Sequence, residues 1–169
     1  MEIVSNSTKS FEQAIHDAFL FYTSSVSNSW ISFPQFSDYK YDYTVLGGTF
    51  DRMHNGHKFL LTWAALCTRK EIVIGVSSRS MITRKTNFDV IQSIETRKNT
   101  VIEFLHTIRP DLSVRAMEVH TEVWHTCEAE TQAIIFSAEP GAPGDLINDE
   151  RKRLGISPLL IEEFDLIMG

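Results

Sequence analysis

Between residues 43 and 58 the chain reads Tyr43-Thr44-Val45-Leu46-Gly47-Gly48-Thr49-Phe50-Asp51-Arg52-Met53-His54-Asn55-Gly56-His57-Lys58. An apolar, β-branched run gives way to two glycines, a threonine and an aspartate, and two histidines three apart then open an amphipathic stretch. This order reads as strand, phosphate loop and helix start. Where a strand hands over to a helix, unpaired backbone N–H groups and the positive end of the helix dipole meet at one point, which favours a bound anion. His54 and His57 lie one helical turn apart, so both rings face the same side. Two roles fit them. They donate hydrogen bonds to a nucleotide's phosphates and to the charge that develops when an α-phosphate is attacked, or they are a metal pair or plain surface histidines. The glycines and Thr49 directly after a strand favour phosphate binding over metal ligation. Thr49 adds a hydroxyl donor, against local turn bonding as the plainer reading, and Asp51 suits a cap on the turn.

Beyond this stretch strand and helix patterns alternate. Gly56 to Thr68 places Phe59, Leu60, Trp63, Ala64 and Leu66 at helical spacing, and Glu71 to Val76 is a short continuous apolar run of the kind buried on both faces of a parallel sheet. A loop from Ser77 to about Gln92 follows; Ser93 then caps a helix with Ile94, Val101, Phe104, Leu105 and Ile108 on one face, stopped by Pro110. Leu112 to Val119, Ala133 to Ser137 and Leu159 to Ile167 read as further strands, with a charged helix from Asp145 to Leu154 before the last. Repeated β-α units of this kind predict an α/β fold, a Rossmann-like open parallel five-stranded sheet with helices on both faces. Ahead of it, Lys9 to Tyr22 forms an amphipathic pattern and Thr23 to Ser29 a polar linker. The expected division is therefore an N-terminal helical appendage over 1–42 and a catalytic-type domain over 43–169.

Composition narrows the class of function. A length of 169 residues suits one domain with an appendage. No apolar run approaches the roughly 18 residues that span a bilayer, and the start shows no basic flank with an apolar core, so a cytoplasmic protein without membrane attachment is expected. Cys67 and Cys127 form no CxxC pair, which gives no support to a metal site or disulfide framework. A net charge of −6 argues against a nucleic-acid surface and leaves room for a local basic pocket. A phosphorylated small molecule is the expected partner; no feature fixes the oligomeric state.

Gly48-Thr49-Phe50-Asp51 followed by His54-Asn55-Gly56-His57 resembles the GTFD…HxGH signature of the nucleotidylyltransferase superfamily. Within it the doubled glycine, Ile74-Gly75-Val76, Lys85, Glu95-Thr96-Arg97, the strand ending in Ser137 and Ile147-Asn148 before Arg151-Lys152-Arg153 resemble the eukaryotic and archaeal type of 4′-phosphopantetheine adenylyltransferase. That resemblance implies transfer of AMP from ATP, with Mg²⁺, to 4′-phosphopantetheine, giving dephospho-coenzyme A and pyrophosphate in coenzyme A biosynthesis. It implies that His54 and His57 contact the ATP phosphates and transition state. Gly48, Thr49, Phe50, Asp51, Gly56 and Ser137 would line the nucleotide site. Lys85, with its neighbour Arg84 sharing the task, would hold the acceptor's phosphate while Thr49 holds the reacting phosphates, and Lys85 is counted with the catalytic histidines. Arg97 is a weaker match, since an arginine at a helix start equally fits simple pairing with a nearby carboxylate.

The chain also departs from that pattern. His120-Thr121-Glu122-Val123-Trp124 stands where the family has Asp-x-Tyr-Gly-Pro, Ala138-Glu139-Pro140 follows Ser137, and Pro143-Gly144 replaces a glycine pair. The sequence ends at Gly169, ahead of the family's Ile-Ser-Ser-Thr-x-x-Arg segment. These differences set two alternatives beside the adenylyltransferase: a truncated or degenerate member that binds nucleotide or coenzyme A with little catalysis, and a cytidylyltransferase acting on a phosphorylated alcohol.

Overall fold

The computed structural model describes residues 39–83, 88–124, 126, 128–137 and 144–164. The amphipathic pattern at Lys9 to Tyr22 and the linker after it lie outside these, as do Arg84, Lys85 and Cys127. In chain order the elements are β1 (Tyr41–Gly48), α1 (Asn55–Cys67), β2 (Thr68–Ser77), a one-turn α2 (Arg79–Ile82), a 3₁₀ turn (Phe88–Val90), α3 (Ile94–Ile108), β3 (Ser113–Val119), β4 (Ala133–Ser137), α4 (Gly144–Arg153) and β5 (Leu160–Phe164).

The strands form one five-stranded sheet in the order β3-β2-β1-β4-β5, and each neighbouring pair runs parallel. Ile72, Val73, Ile74 and Val76 are all buried, as a strand covered on both faces requires. Alternation divides the faces. Thr44 points to the side of α1, where its hydroxyl meets that of Thr68 at 2.5 Å. Val45, Val73 and Ile134 point the other way and pack with Ile147 of α4 and Leu159. Helices thus cover both faces, as the sequence predicts. The chain steps outward from β1 through β2 to β3, then returns to lay β4 on the opposite flank of β1, so the topological switch falls between β1 and β4. Open α/β sheets bind ligands beyond the carboxyl ends of the strands at such a point.

Two local expectations are corrected. β2 starts at Thr68, directly at the end of α1, instead of at Glu71, because the Thr68 hydroxyl donates to Ala64 O at 2.7 Å and turns the chain without a loop. The Ser77 to Gln92 segment holds α2 and the 3₁₀ turn, with Ile82 buried as an anchor that an otherwise polar stretch conceals. β5 spans Leu160–Phe164, and residues 165–167 of the expected strand lie outside the described residues. No helix among those residues is long and apolar enough to cross a membrane.

Candidate nucleotide site

The loop that leaves β1 is held by a buried arginine. Arg97, in the first turn of α3 and 2 % exposed, donates from Nη1 to Thr49 O at 2.8 Å and Ser77 O at 3.0 Å, and from Nε to Gln92 O at 3.0 Å. The expected carboxylate partner is replaced by main-chain carbonyls. Burial lowers the guanidinium pKa, and the more distant charges of Asp51 and Glu118 oppose that effect. One side chain therefore ties together the ends of β1 and β2 and the start of α3. Ser93 caps α3 as its sequence predicts, accepting from Thr96 N at 3.1 Å.

Phe50 and Arg52 adopt left-handed backbone conformations, φ 52° and 41°, each worth about 1–3 kcal/mol of strain. Burial of the Phe50 ring, 1 % exposed, offsets that strain. The ring folds back over Gly48, where an added Cβ would lie 3.0 Å from its Cε2 and Cζ, so a side chain there would press on the ring. Its other side meets the His57 imidazole, centroids 5.3 Å apart and planes tilted 48°. Asp51 and Gln92 lock the far side of the loop: Gln92 N donates to Asp51 Oδ1, and Arg52 N to Gln92 Oε1, both at 2.8 Å.

His54 is the N-cap residue of α1 and makes no side-chain cap. No acidic residue stands in the first turn, and Gly56 puts no side chain over its N–H groups. The His54 and His57 rings stack with centroids 3.8 Å apart and planes 25° apart. His54 is exposed, while His57 is half-buried with its Nδ1 inside the protein. Two imidazoles and a helix N-terminus thus converge at the carboxyl end of the central strand. That arrangement suits an oligophosphate, because the imidazole and N–H donors are held in place before it binds.

The sequence-derived residues divide as follows. Gly48, Thr49, Phe50, Asp51, His54, Gly56 and His57 form one continuous loop and helix start. Ser137 ends β4, opposite Phe164 in register, across the switch from that loop. Arg84 and Lys85 lie outside the described residues. Reading the sequence missed the loop-holding role of Arg97 and Gln92, and it marked Trp124 only as part of a segment that departs from the family's pattern. Gly47 and Gly75 are register neighbours on β1 and β2. The indole of Trp124 covers Gly75 so closely that a Cβ there would fall 2.2 Å from Cζ2, whereas Gly47, on the middle strand of the sheet, remains exposed.

A cytidylyltransferase-like family model matches residues 45–142. A phosphopantetheine adenylyltransferase of Pyrococcus furiosus is 35% identical over 129 residues, covering 76% of this chain and 79% of that protein. One of Saccharomyces cerevisiae is 29% identical over 77% of this chain and 43% of its own length. An uncharacterized protein of Schizosaccharomyces pombe is 34% identical over 73% of this chain and 40% of its own. The chain thus spans less than half the length of these two yeast relatives. Among solved structures, an Archaeoglobus fulgidus protein of unknown function superposes with a TM-score of 0.61 at 24% identity, over 74% of this chain and 99% of that one. A lipopolysaccharide core biosynthesis protein of Thermoplasma volcanium gives 0.53 at 17% identity, over 72% and 94%; both share the fold.

Proposed function

The chain belongs to the cytidylyltransferase-like family of nucleotidylyltransferases, and from that premise we propose that it transfers AMP from ATP to 4′-phosphopantetheine. The observation that carries this reading is the stacked His54–His57 pair on a loop held by Arg97, at the anion-attracting start of α1. Likeness to phosphopantetheine adenylyltransferases supports the choice of base and acceptor.

In the reaction an oxygen of the acceptor's phosphate attacks the α-phosphorus of ATP. The bond from that phosphorus to the α,β-bridging oxygen breaks, pyrophosphate leaves, and dephospho-coenzyme A forms. No covalent protein intermediate is needed. His54 and His57 donate to the non-bridging and leaving oxygens as charge builds, and Thr49 with the first-turn N–H groups fixes the phosphates in line. Among the described residues no three or more His, Cys, Asp or Glu side chains stand together as a metal site. Mg²⁺ bound with ATP would neutralise phosphate charge. Lys85 and Arg84 supply cations to the acceptor's phosphate, and Ser137 borders the nucleotide on the β4 side.

The test is incubation with ATP, Mg²⁺ and 4′-phosphopantetheine, following pyrophosphate and dephospho-coenzyme A. Wild type is expected to turn over, and His57→Ala to lose about 10²–10³ in rate. No product after an hour at micromolar enzyme would overturn the reading. Saturable ATP or coenzyme A binding by calorimetry would then favour a binding protein instead. The family model's cytidylyltransferase-like character favours one second reading, transfer of CMP to a phosphorylated alcohol; replacing ATP by CTP in the same assay decides between them.

A further inference from the structure

We propose that Trp124 sets acceptor specificity, its indole forming the apolar wall against which the uncharged arm of the acceptor lies. This rests on the adenylyl-transfer reading above. Three observations converge on it. First, β1 is the middle strand of the sheet, yet Gly47, near its carboxyl end, is exposed, and the backbone next to the phosphate loop is therefore open to a ligand. Second, the two register neighbours Gly47 and Gly75 carry no side chains, and Trp124 seats its ring over Gly75 while standing beside Gly47, where a Cβ would be 3.8 Å from the indole Nε1. The ring thus forms one side of a bare shelf. Third, the main chain that carries the ring is tied down, and Trp124 packs against the Val45, Val73 and Ile134 cluster. The Thr126 hydroxyl donates to Val123 O at 3.1 Å and Trp124 O at 3.2 Å, and Thr126 O in turn accepts from the buried Arg151 guanidinium.

The side of the sheet decides which substrate meets the ring. The switch crevice lies between β1 and β4, where a nucleotide is expected, whereas Trp124 stands over β2, on the other flank of β1. An in-line displacement needs its two substrates on opposite sides of the reacting phosphorus. The β2 flank is then the acceptor's. A flat, half-buried aromatic surface offers apolar contact to a flexible amide-bearing chain and little to a phosphate.

The experiment compares Trp124→Ala and Trp124→Phe with wild type, using ATP and two acceptors: 4′-phosphopantetheine and a short phosphorylated alcohol without the arm. Wild type is expected to favour the long acceptor in kcat/KM. Trp124→Ala should raise its KM about 10-fold or more, leave the short acceptor and the calorimetric Kd for ATP within about twofold, and so shrink the ratio, with Trp124→Phe restoring most of it. Gly75→Ala, which displaces the ring without changing the loop, should shift the same ratio. Equal losses with both acceptors would mean that Trp124 is only structural, and a weakened ATP Kd would mean that it meets the base; either overturns the proposal. If wild type turns over neither acceptor, the adenylyl-transfer reading has failed by itself. Binding of 4′-phosphopantetheine, followed by calorimetry, then tests the wall, which is refuted if Trp124→Ala binds as tightly as wild type.

Discussion

Two residues show how little of this site depends on side chains that touch a substrate. Arg97 reaches Thr49 O across 48 positions of sequence, and its three carbonyl partners come from three different segments. Arg97→Met keeps much of the volume and removes every donor, so each buried carbonyl left without one should cost about 1–3 kcal/mol. A urea titration should show a lower midpoint with an unchanged slope, and pyrophosphate release should fall further than stability alone explains, because the loop carrying Thr49 is freed. Gly48→Ala is a finer probe. Its Cβ would press on the Phe50 ring at 3.0 Å, and that ring is the neighbour of His57. The expected result is a modest loss of stability, about 1–3 kcal/mol, with a fall in kcat at little change in the calorimetric Kd for ATP. Equal kcat in Gly48→Ala and wild type would mean that the ring does not position the imidazole.

The strands and helices were legible wherever a local pattern reports burial, as in the run from Ile72 to Val76 or the Ser93 cap. Connections were less so. α2 hides in a polar stretch with Ile82 as its only buried residue, and the buried arginines Arg97, Arg109 and Arg151 were opaque because a main-chain carbonyl has no residue signature. Arg151 of α4 is 1 % exposed and donates to Thr126 O, Glu128 O, Thr131 O and Ser157 O, which joins the segment before β4 to the one before β5. Elements also meet at their ends. Arg109, the C-cap of α3, donates to Ala65 O at 3.0 Å and Thr68 O at 3.2 Å at the close of α1, and pairs with both carboxylate oxygens of Asp111. The hydrogen bond to Arg109 lowers the Asp111 pKa. A carboxylate with a depressed folded pKa stabilises above its unfolded value of about 3.9, and that contribution is lost as pH falls through the folded value. The melting temperature of wild type should therefore exceed that of Asp111→Asn at pH 6, and the gap should close on acidification below about pH 4. A constant gap from pH 6 to pH 3 would assign the difference to packing.

At the scale of the molecule the sheet is uneven, and the site occupies its stronger side. β1 and β2 run alongside each other from Tyr41↔Thr68 to Gly48↔Val76, and β2 with β3 from Glu71↔Ser113 to Ser77↔Val119. β1 meets β4 only at Thr44↔Ala133 and Val45↔Ile134. The outer strand β5 exposes Leu160 at 60% and Ile161 at 41%, and Leu146 on α4 is 54% exposed. Fewer ladder bonds and less apolar burial mean a lower free energy of local opening, so the β4-α4-β5 flank should open without the rest. Native-state hydrogen exchange is expected to show amides of Val45, Leu46 and Ile74 exchanging only with global unfolding, and those of Ile161 and Glu162 through a smaller opening. The loop from Thr49 to His57, Arg97 and β2 all belong to the slow side, so catalytic geometry should survive that opening, while the β4 side, ending at Ser137, should not. Saturating ATP, bridging the switch, should then slow exchange on the β4-α4-β5 flank more than in β2 and β3. Uniform slowing by ATP, or β5 amides as slow as those of β1, would show that the sheet opens as one unit and that nucleotide binding does not depend on closing its weaker flank.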